Sequence, residues 1–72
     1  MKRYHVTPKD DQWQVKGERA DRAVSVHDNK EDAIKAGREV AQNANGQLIV
    51  HRQDGVFQTE WTYGPDPEKS PG

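Results

Sequence analysis

The sequence predicts an α+β domain in which one helix packs on one face of a mainly antiparallel sheet of four or five strands. Three short runs before residue 28 alternate apolar and polar side chains, which is typical of half-buried strands. A central segment of about fourteen residues then carries apolar side chains at helical spacing. Two further strand-like runs follow it around an Asp-Gly pair. The predicted order of elements is therefore β-β-β-α-β-β.

The first three predicted strands are joined by short polar links and comprise residues 3–7, 12–17 and 23–27. Short links of this kind predict an antiparallel meander. Because side chains alternate across a strand, we expect Val24 and Val26 of the third strand to face the helix. Ser25 and His27 are then expected to face away from it.

The helix is predicted over residues 30–43. Asn29 is a favourable N-cap, and Asp32 three residues later makes an acidic form of the capping box. Gly46 is expected to end the helix in the left-handed conformation. The face that should meet the sheet is built of small residues, so Gly37 would let the two backbones approach closely.

The helix also predicts how the two halves of the sheet are joined. A right-handed connection makes the fourth strand parallel to the third. We favour a position beside the first strand, which gives a five-stranded mixed sheet with the helix on one face. The other face is then polar and open to solvent or to a partner.

The last two strands form a hairpin whose favoured register follows from its Asp-Gly pair. A two-residue Asp-Gly loop is a strong hairpin pattern, and it pairs Arg52 with Phe57 and Leu48 with Trp61. In this register Arg52 lies on the helix side at the edge of the core. The register is favoured because it puts more apolar residues against the helix.

A competing register treats residues 52–55 as the turn, followed by a glycine bulge. It brings Ile49, His51 and Phe57 together and sends Leu48 outward. The two registers differ in what surrounds His51, which the favoured register places on the open face beside Gln58.

The predicted core takes apolar residues from every element, namely Tyr4, Val6, Trp13, Val15, Val24, Val26, Ile34, Val40, Leu48, Val50, Phe57 and Trp61. Residues 1–64 are expected to form one domain. Three of the four prolines lie after residue 64, so residues 65–72 are predicted to be a flexible Pro-rich tail.

Several motifs, taken in order, resemble a known family. They are "YHVTP" at the start, "WQVK" after it, "KEDA" at the helix start, "VHRQDG" in the hairpin and "TYGPDP" at the end. The set is similar to the small bacterial family catalogued as domain of unknown function 2188. Asn29 stands where that family would have threonine, and Phe57 where an aliphatic residue is usual. The resemblance implies a one-domain bacterial protein and supplies no catalytic residue.

The composition excludes several classes of protein. The chain has 72 residues, no cysteine and a net charge of −1, so disulfides, thiolate catalysis and cysteine zinc sites are excluded. No apolar run approaches the ~20 residues of a membrane span, and the N-terminus lacks the apolar region of a signal peptide. We therefore expect a cytoplasmic protein.

An enzyme is not expected. Nucleophilic catalysis needs a nucleophile, a base and a group that orients the base, and no motif pairs Ser25 or Ser70 with a histidine. The chain has no phosphate-binding glycine loop. We therefore predict no catalytic residue and no cofactor-binding residue.

The three histidines are the remaining candidates for a metal site. Strand parity puts His5, His27 and His51 all on the face away from the helix, and three histidines can hold a transition metal. His5 and His51 are expected on neighbouring strands, and His27 on a strand too far from them to share a metal ion. We therefore predict no native metal site and no cofactor.

The open sheet face and the free sheet edges favour a role in binding. We predict a non-enzymatic interaction module that forms a homo-oligomer or binds a protein partner. The candidate interaction face consists of His5, Gln12, Gln14, Lys16, His51 and Gln58. The alternative is a nucleic-acid-binding accessory protein that uses the same face, although a net charge of −1 lacks the usual basic footprint.

Overall fold

The structure, a computed structural model, describes residues 2–63. Its elements are β1 (Arg3–Lys9), β2 (Gln12–Gly17), β3 (Ala23–His27), α1 (Lys30–Asn43), β4 (Gln47–His51) and β5 (Phe57–Thr62). The predicted order β-β-β-α-β-β is confirmed. The predicted tail at residues 65–72 lies outside the described residues.

The strands form one five-stranded sheet in the order β3-β2-β1-β4-β5. β1 and β4 are parallel, and the other neighbouring pairs are antiparallel. The fourth strand therefore lies beside the first, as predicted. The helix makes this arrangement possible because it carries the chain across one face of the sheet before β4 begins.

The helix starts at the predicted cap. The side chain of Asn29 accepts a hydrogen bond of 2.8 Å from the backbone N–H of Asp32. The Asn29 amide also donates to the Asp32 carboxylate at 3.2 Å. The first bond is the N-cap contact to a backbone N–H of the first turn, and the second joins the two side chains. The reciprocal bond of a capping box would instead run from the Asn29 backbone N–H to the Asp32 side chain.

The helix ends at Asn43, as predicted, but the left-handed residue after it lies one position earlier than expected. Asn45, with φ of 52°, takes the left-handed position, so the assignment of that position to Gly46 is wrong. Asn45 N–H bonds to the carbonyl of Gln42, and Gly46 N–H bonds to the carbonyl of Ala41. This pair of bonds is a Schellman motif, in which asparagine can replace glycine.

The core lies between the small face of α1 and the centre of the sheet. The fully buried apolar residues are Val6, Val15, Ala33, Ala41, Leu48 and Val50. A Cβ atom on Gly37 would lie 2.8 Å from Leu48 Cδ1 and 3.2 Å from Val6 Cγ2. The predicted close approach at Gly37 is therefore confirmed.

Larger side chains surround this core. Tyr4, Trp13, Ile34 and Trp61 are half-buried and pack against it, as predicted. Val40 is half-buried. Val24, Val26 and Phe57 are 51%, 44% and 53% exposed, so their assignment to the core is wrong.

The error at Val24 and Val26 comes from the register of β3. Val15, which is buried, lies opposite Ser25, and the register between β2 and β3 shifts next to Val15. Residues opposite each other in a ladder share a face, so Ser25 and His27 face the helix. Val26, opposite Gln14, faces away from it.

The hairpin combines the two predicted registers. Leu48 lies opposite Trp61, as the favoured register requires, and is buried. The register then shifts between Val50 and His51, so His51 lies opposite Phe57, as in the competing register. A bulge adds one residue to one strand, so side chains before and after it alternate between the faces in opposite phase. The hairpin can therefore follow the favoured register at Leu48 and the competing one at His51.

The turn is the competing one. Gly55 N–H bonds to the carbonyl of Arg52 at 2.8 Å, which closes a turn over residues 52–55. Gly55 has φ of 89°, a conformation that glycine adopts without strain. The predicted pairing of Arg52 with Phe57 is therefore wrong.

Candidate functional site

The face of the sheet opposite α1 is called here the open face. Lys16 lies opposite His5 in the β1–β2 ladder, and Ile49 lies beside His5 in the β1–β4 ladder. Gln14 lies opposite Thr7, and its amide donates to the Thr7 hydroxyl at 3.1 Å. The centre of the open face is therefore polar and internally hydrogen-bonded.

The structure brings together most of the predicted interaction face. His5, Gln14, Lys16 and His51 lie together on the open face. Gln12 lies at the start of β2, where its amide donates to Asp28 at 3.0 Å.

Gln58 is the exception. Its side chain accepts a hydrogen bond from Lys30 of α1. The Lys30 ammonium also lies 5.0 Å from the ring centre of Trp13, on the helix side. The expectation that Gln58 stands beside His51 on the open face is therefore wrong, because the bulge in the β4–β5 ladder changes its direction.

His5 and His51 form the histidine pair at the centre of the open face. His5 Nδ1 lies 2.9 Å from His51 Nε2. The outer nitrogen of each ring also has a partner: His5 Nε2 lies 3.2 Å from Glu18 Oε1, and His51 Nδ1 lies 3.1 Å from the carbonyl oxygen of Gly55. The pair therefore links β1 to β4 and reaches the hairpin turn.

The other histidine does not join this pair. His27 faces the helix side, and its Nε2 lies 2.8 Å from the Ser25 hydroxyl. The prediction that all three histidines share the open face is wrong for His27, because the parity of β3 is the opposite of the expected one. Within residues 2–63, no three His, Cys, Asp or Glu side chains are grouped so as to hold a metal ion.

The hairpin turn carries its own electrostatic contacts. The Asp54 carboxylate accepts a hydrogen bond from Val56 N–H at 3.1 Å and one from Arg52 at 2.6 Å. The backbone hydrogen bond from Val56 and the bond from Arg52 lower the pKa of Asp54 below its ordinary value. Both contacts of Asp54 are made within the hairpin turn, so the turn alone explains why an aspartate stands at this position.

Exposed apolar side chains lie toward the two edges of the sheet. Val24 and Val26 belong to β3 at one edge, and Val56 and Phe57 lie at the hairpin near the other. The alternation along β3 assigns the two valines to the core and therefore does not predict them as surface residues. Their exposure depends on the register shift beside Val15 in the β2–β3 ladder. A register shift of this kind has no simple sequence pattern that predicts it.

In the part of the chain that is described, no helix has both the length and the apolar character that crossing a membrane requires.

Comparison with known proteins places the chain among bacterial proteins. It is similar to the uncharacterized protein YdaT of Bacillus subtilis (strain 168), with 37% identity over 54 residues. That match covers 75% of this chain and 36% of YdaT, so the chain spans well under half of the relative's length. No solved structure matches the chain.

A family model gives the same placement over a longer stretch. The model described as an uncharacterized protein conserved in bacteria (DUF2188) matches residues 4–63. That range runs from the first strand of the sheet through the last. The chain therefore belongs to the bacterial DUF2188 family.

Proposed function

We propose that the protein is a non-enzymatic interaction module of the cytoplasm that binds a second copy of itself through the edge of β3. The observation that carries this proposal is that β3 is an edge strand with two exposed valines, Val24 and Val26. Unpaired backbone groups on such an edge can form a ladder with another strand.

The sequence of β3 lacks the features that usually prevent edge pairing. Natural edge strands are often protected by charged side chains or proline, and β3, "AVSVH", contains neither. The ladders of both edge strands contain a register shift, but the opposite edge strand, β5, also carries the charged Glu60. The edge of β3 is therefore the better surface for association.

The sequence around β3 is also complementary to itself. In an antiparallel two-fold pairing centred on Ser25, Val24 lies opposite the partner's Val26. Arg22 then lies opposite the partner's Asp28. Pairing two copies in this way joins apolar to apolar and positive to negative side chains, as a closed symmetric dimer requires.

The dimer should be weak. About half of the surface of each valine is already buried in the monomer. Burying the other half in a dimer contributes about 1 kcal/mol per valine. Association costs at least ~4 kcal/mol in lost translational and rotational freedom, which offsets most of the gain from four valines. Self-association should therefore be measured up to about 1 mM protein.

Light scattering on the full chain and on two matched variants tests the proposal. Val26→Lys places a charge on the proposed edge, and Val56→Lys places the same charge on a residue of similar exposure at the hairpin. We expect the mass to rise toward that of a dimer with concentration for the wild type and Val56→Lys, but not for Val26→Lys. A wild-type monomer at all concentrations, or equal effects of the two variants, would contradict the proposal.

A charge exchange adds a second check. Arg22→Glu should weaken the dimer because it faces the partner's Asp28, and Arg22→Glu combined with Asp28→Arg should restore it. Failure of the double variant to associate better than Arg22→Glu would contradict the two-fold register.

Nucleic-acid binding through the open face has less support. Glu18 lies 3.8 Å from Arg3 and 3.2 Å from His5, so a carboxylate interrupts the positive groups of this face. Binding to mixed DNA and RNA separates the two functions. A nucleic-acid binder holds DNA at low salt and releases it steeply as salt rises.

A further inference from the structure

We propose that the histidine pair shares one proton, and that a second proton opens the pair and weakens the junction between β1 and β4. This inference concerns the centre of the sheet and is independent of the self-association proposed at β3. It gives the fold a pH-sensitive contact in the range where histidine changes charge, between about pH 5 and 8.

The two rings meet through their nitrogen atoms. Their planes differ by 24° and their centroids are 5.2 Å apart, while His5 Nδ1 and His51 Nε2 are only 2.9 Å apart. That separation is the length of a hydrogen bond between nitrogen atoms.

The outer partners determine where the other ring protons lie. The carbonyl oxygen of Gly55 can only accept a hydrogen bond, so His51 Nδ1 must donate to it. The ionised Glu18 carboxylate can likewise only accept, so His5 Nε2 must donate to it. A neutral imidazole has a single N–H, so the outer contacts account for the proton of each neutral ring.

All three contacts of the pair can be made at once only with one additional proton. With none, either two lone pairs face each other at 2.9 Å, which is repulsive, or His5 carries its proton on Nδ1 and loses its bond to Glu18. With one, an N–H group of the cationic ring donates to the lone pair of the neutral ring in a charge-assisted hydrogen bond. With two, two N–H groups of like charge face each other, and the contact is again repulsive.

Three charged side chains lie near the pair on the β1–β2 side. The Glu18 carboxylate, 3.2 Å from His5 Nε2, attracts a positive charge on the pair, and Arg3 is 3.8 Å from that carboxylate. Lys16, opposite His5, opposes each added positive charge, so it is the repulsion between the two rings that opposes the second proton more than the first.

The remaining charged groups lie on the hairpin side. Glu60 lies opposite Ile49 in the β4–β5 ladder. Arg52 and Asp54 pair with each other in the turn at 2.6 Å, so their charges largely cancel at the histidine pair.

Opening the pair affects the junction between two parts of the sheet. β1 belongs to the three-stranded meander and β4 to the hairpin, and the two are joined as neighbours in the sheet. The histidine pair crosses this junction, so its loss should weaken the attachment of the hairpin to the meander.

Imidazole ¹⁵N NMR on the labelled full chain tests the proton count. On lowering the pH from about 8 to 5, we expect one proton to enter the pair as a unit and a second to enter in a separate, more acidic step. His51→Gln should convert His5 to a single titration step, whereas His27→Gln should leave the pair unchanged. Independent single-step titration of both rings in the wild type would overturn the proposal.

A double-mutant cycle on stability gives a second readout. His5→Gln, His51→Gln and the double variant are unfolded in urea at near-neutral pH and at about pH 5. We expect the two sites to be coupled by about tenfold or more in the folding equilibrium constant near neutrality, as for a hydrogen bond to a charged group, and much less in acid. Coupling of the same size at both pH values, or coupling below about twofold near neutrality, would overturn the proposal.

Discussion

At the scale of single residues, two glycines are required by contacts rather than by a left-handed backbone. Gly37 faces Leu48 and Val6 across the helix–sheet interface. Gly46 lies where the chain leaves α1, and a Cβ there would collide with the backbone carbonyl of Lys2. The role of Gly37 could be predicted from the small residues around it in the helix. The role of Gly46 could not be predicted, because the residue it contacts, Lys2, is distant from it in the sequence.

We predict that Gly46→Ala lowers the free energy of unfolding by about 2 kcal/mol, since the added methyl group meets backbone that cannot move aside easily. Urea denaturation followed by tryptophan fluorescence measures the change. Gly17→Ala is the matched control, because a Cβ at Gly17 would have its nearest neighbour 3.6 Å away. Equal losses in the two variants would show that the contact with Lys2 is not the cause.

The Asp54 carboxylate should make the hairpin sensitive to acid. Its pKa in the folded state is lowered from the ordinary value of 3.8, so the contribution of the carboxylate is complete above that value and is lost as the pH falls through the lower folded one. We predict that the wild type is more stable than Asp54→Asn near neutrality and that the difference shrinks with acidification. Urea midpoints measured over this range check the prediction, and a difference independent of pH would contradict it.

At the scale of elements, local signals predicted the helix and the strand positions, whereas the facing of β3 required a contact between strands. The cap at Asn29 lies within four residues of the bonds that it makes, so the sequence contains its whole cause. The direction of Val26 depends on the shifted register between β2 and β3. The alternation of residues along β3 is compatible with either face of the strand meeting the helix. The face predicted for Val24 and Val26 is therefore the wrong one.

The capping residue gives a prediction for the helix as an element. Asn29→Ala removes the acceptor for the Asp32 N–H and should lower the free energy of unfolding by about 1 kcal/mol. The same urea assay measures it, with Asn43→Ala at the other end of α1 as a control for the change of residue type. A loss at Asn43 as large as that at Asn29 would argue against capping as the cause.

At the scale of the whole molecule, the topology could be predicted from the sequence, but the exposed side chains of the sheet could not. The five strands and one helix follow from the order of the elements, and the direction of β4 follows from the handedness of the crossover. The position of β4 beside β1 is the favoured one of several possible arrangements, and the structure confirms it. The candidate site depends instead on side-chain directions at two register shifts. Because of those shifts, Gln58 faces the helix and Val26 and Phe57 are exposed. The alternation within a single strand does not predict such directions.

The position of β1 has a consequence for synthesis of the protein. Of the five strands of this sheet, the central one, β1, is made first, and one of its two neighbours, β4, is made only after the helix. Until β4 emerges, the nascent meander has β1 as an open edge that carries Val6, which is fully buried in the finished domain. A chain halted between β3 and β4 therefore presents an apolar, unpaired strand to chaperones and to other nascent chains, and completion of the hairpin removes it.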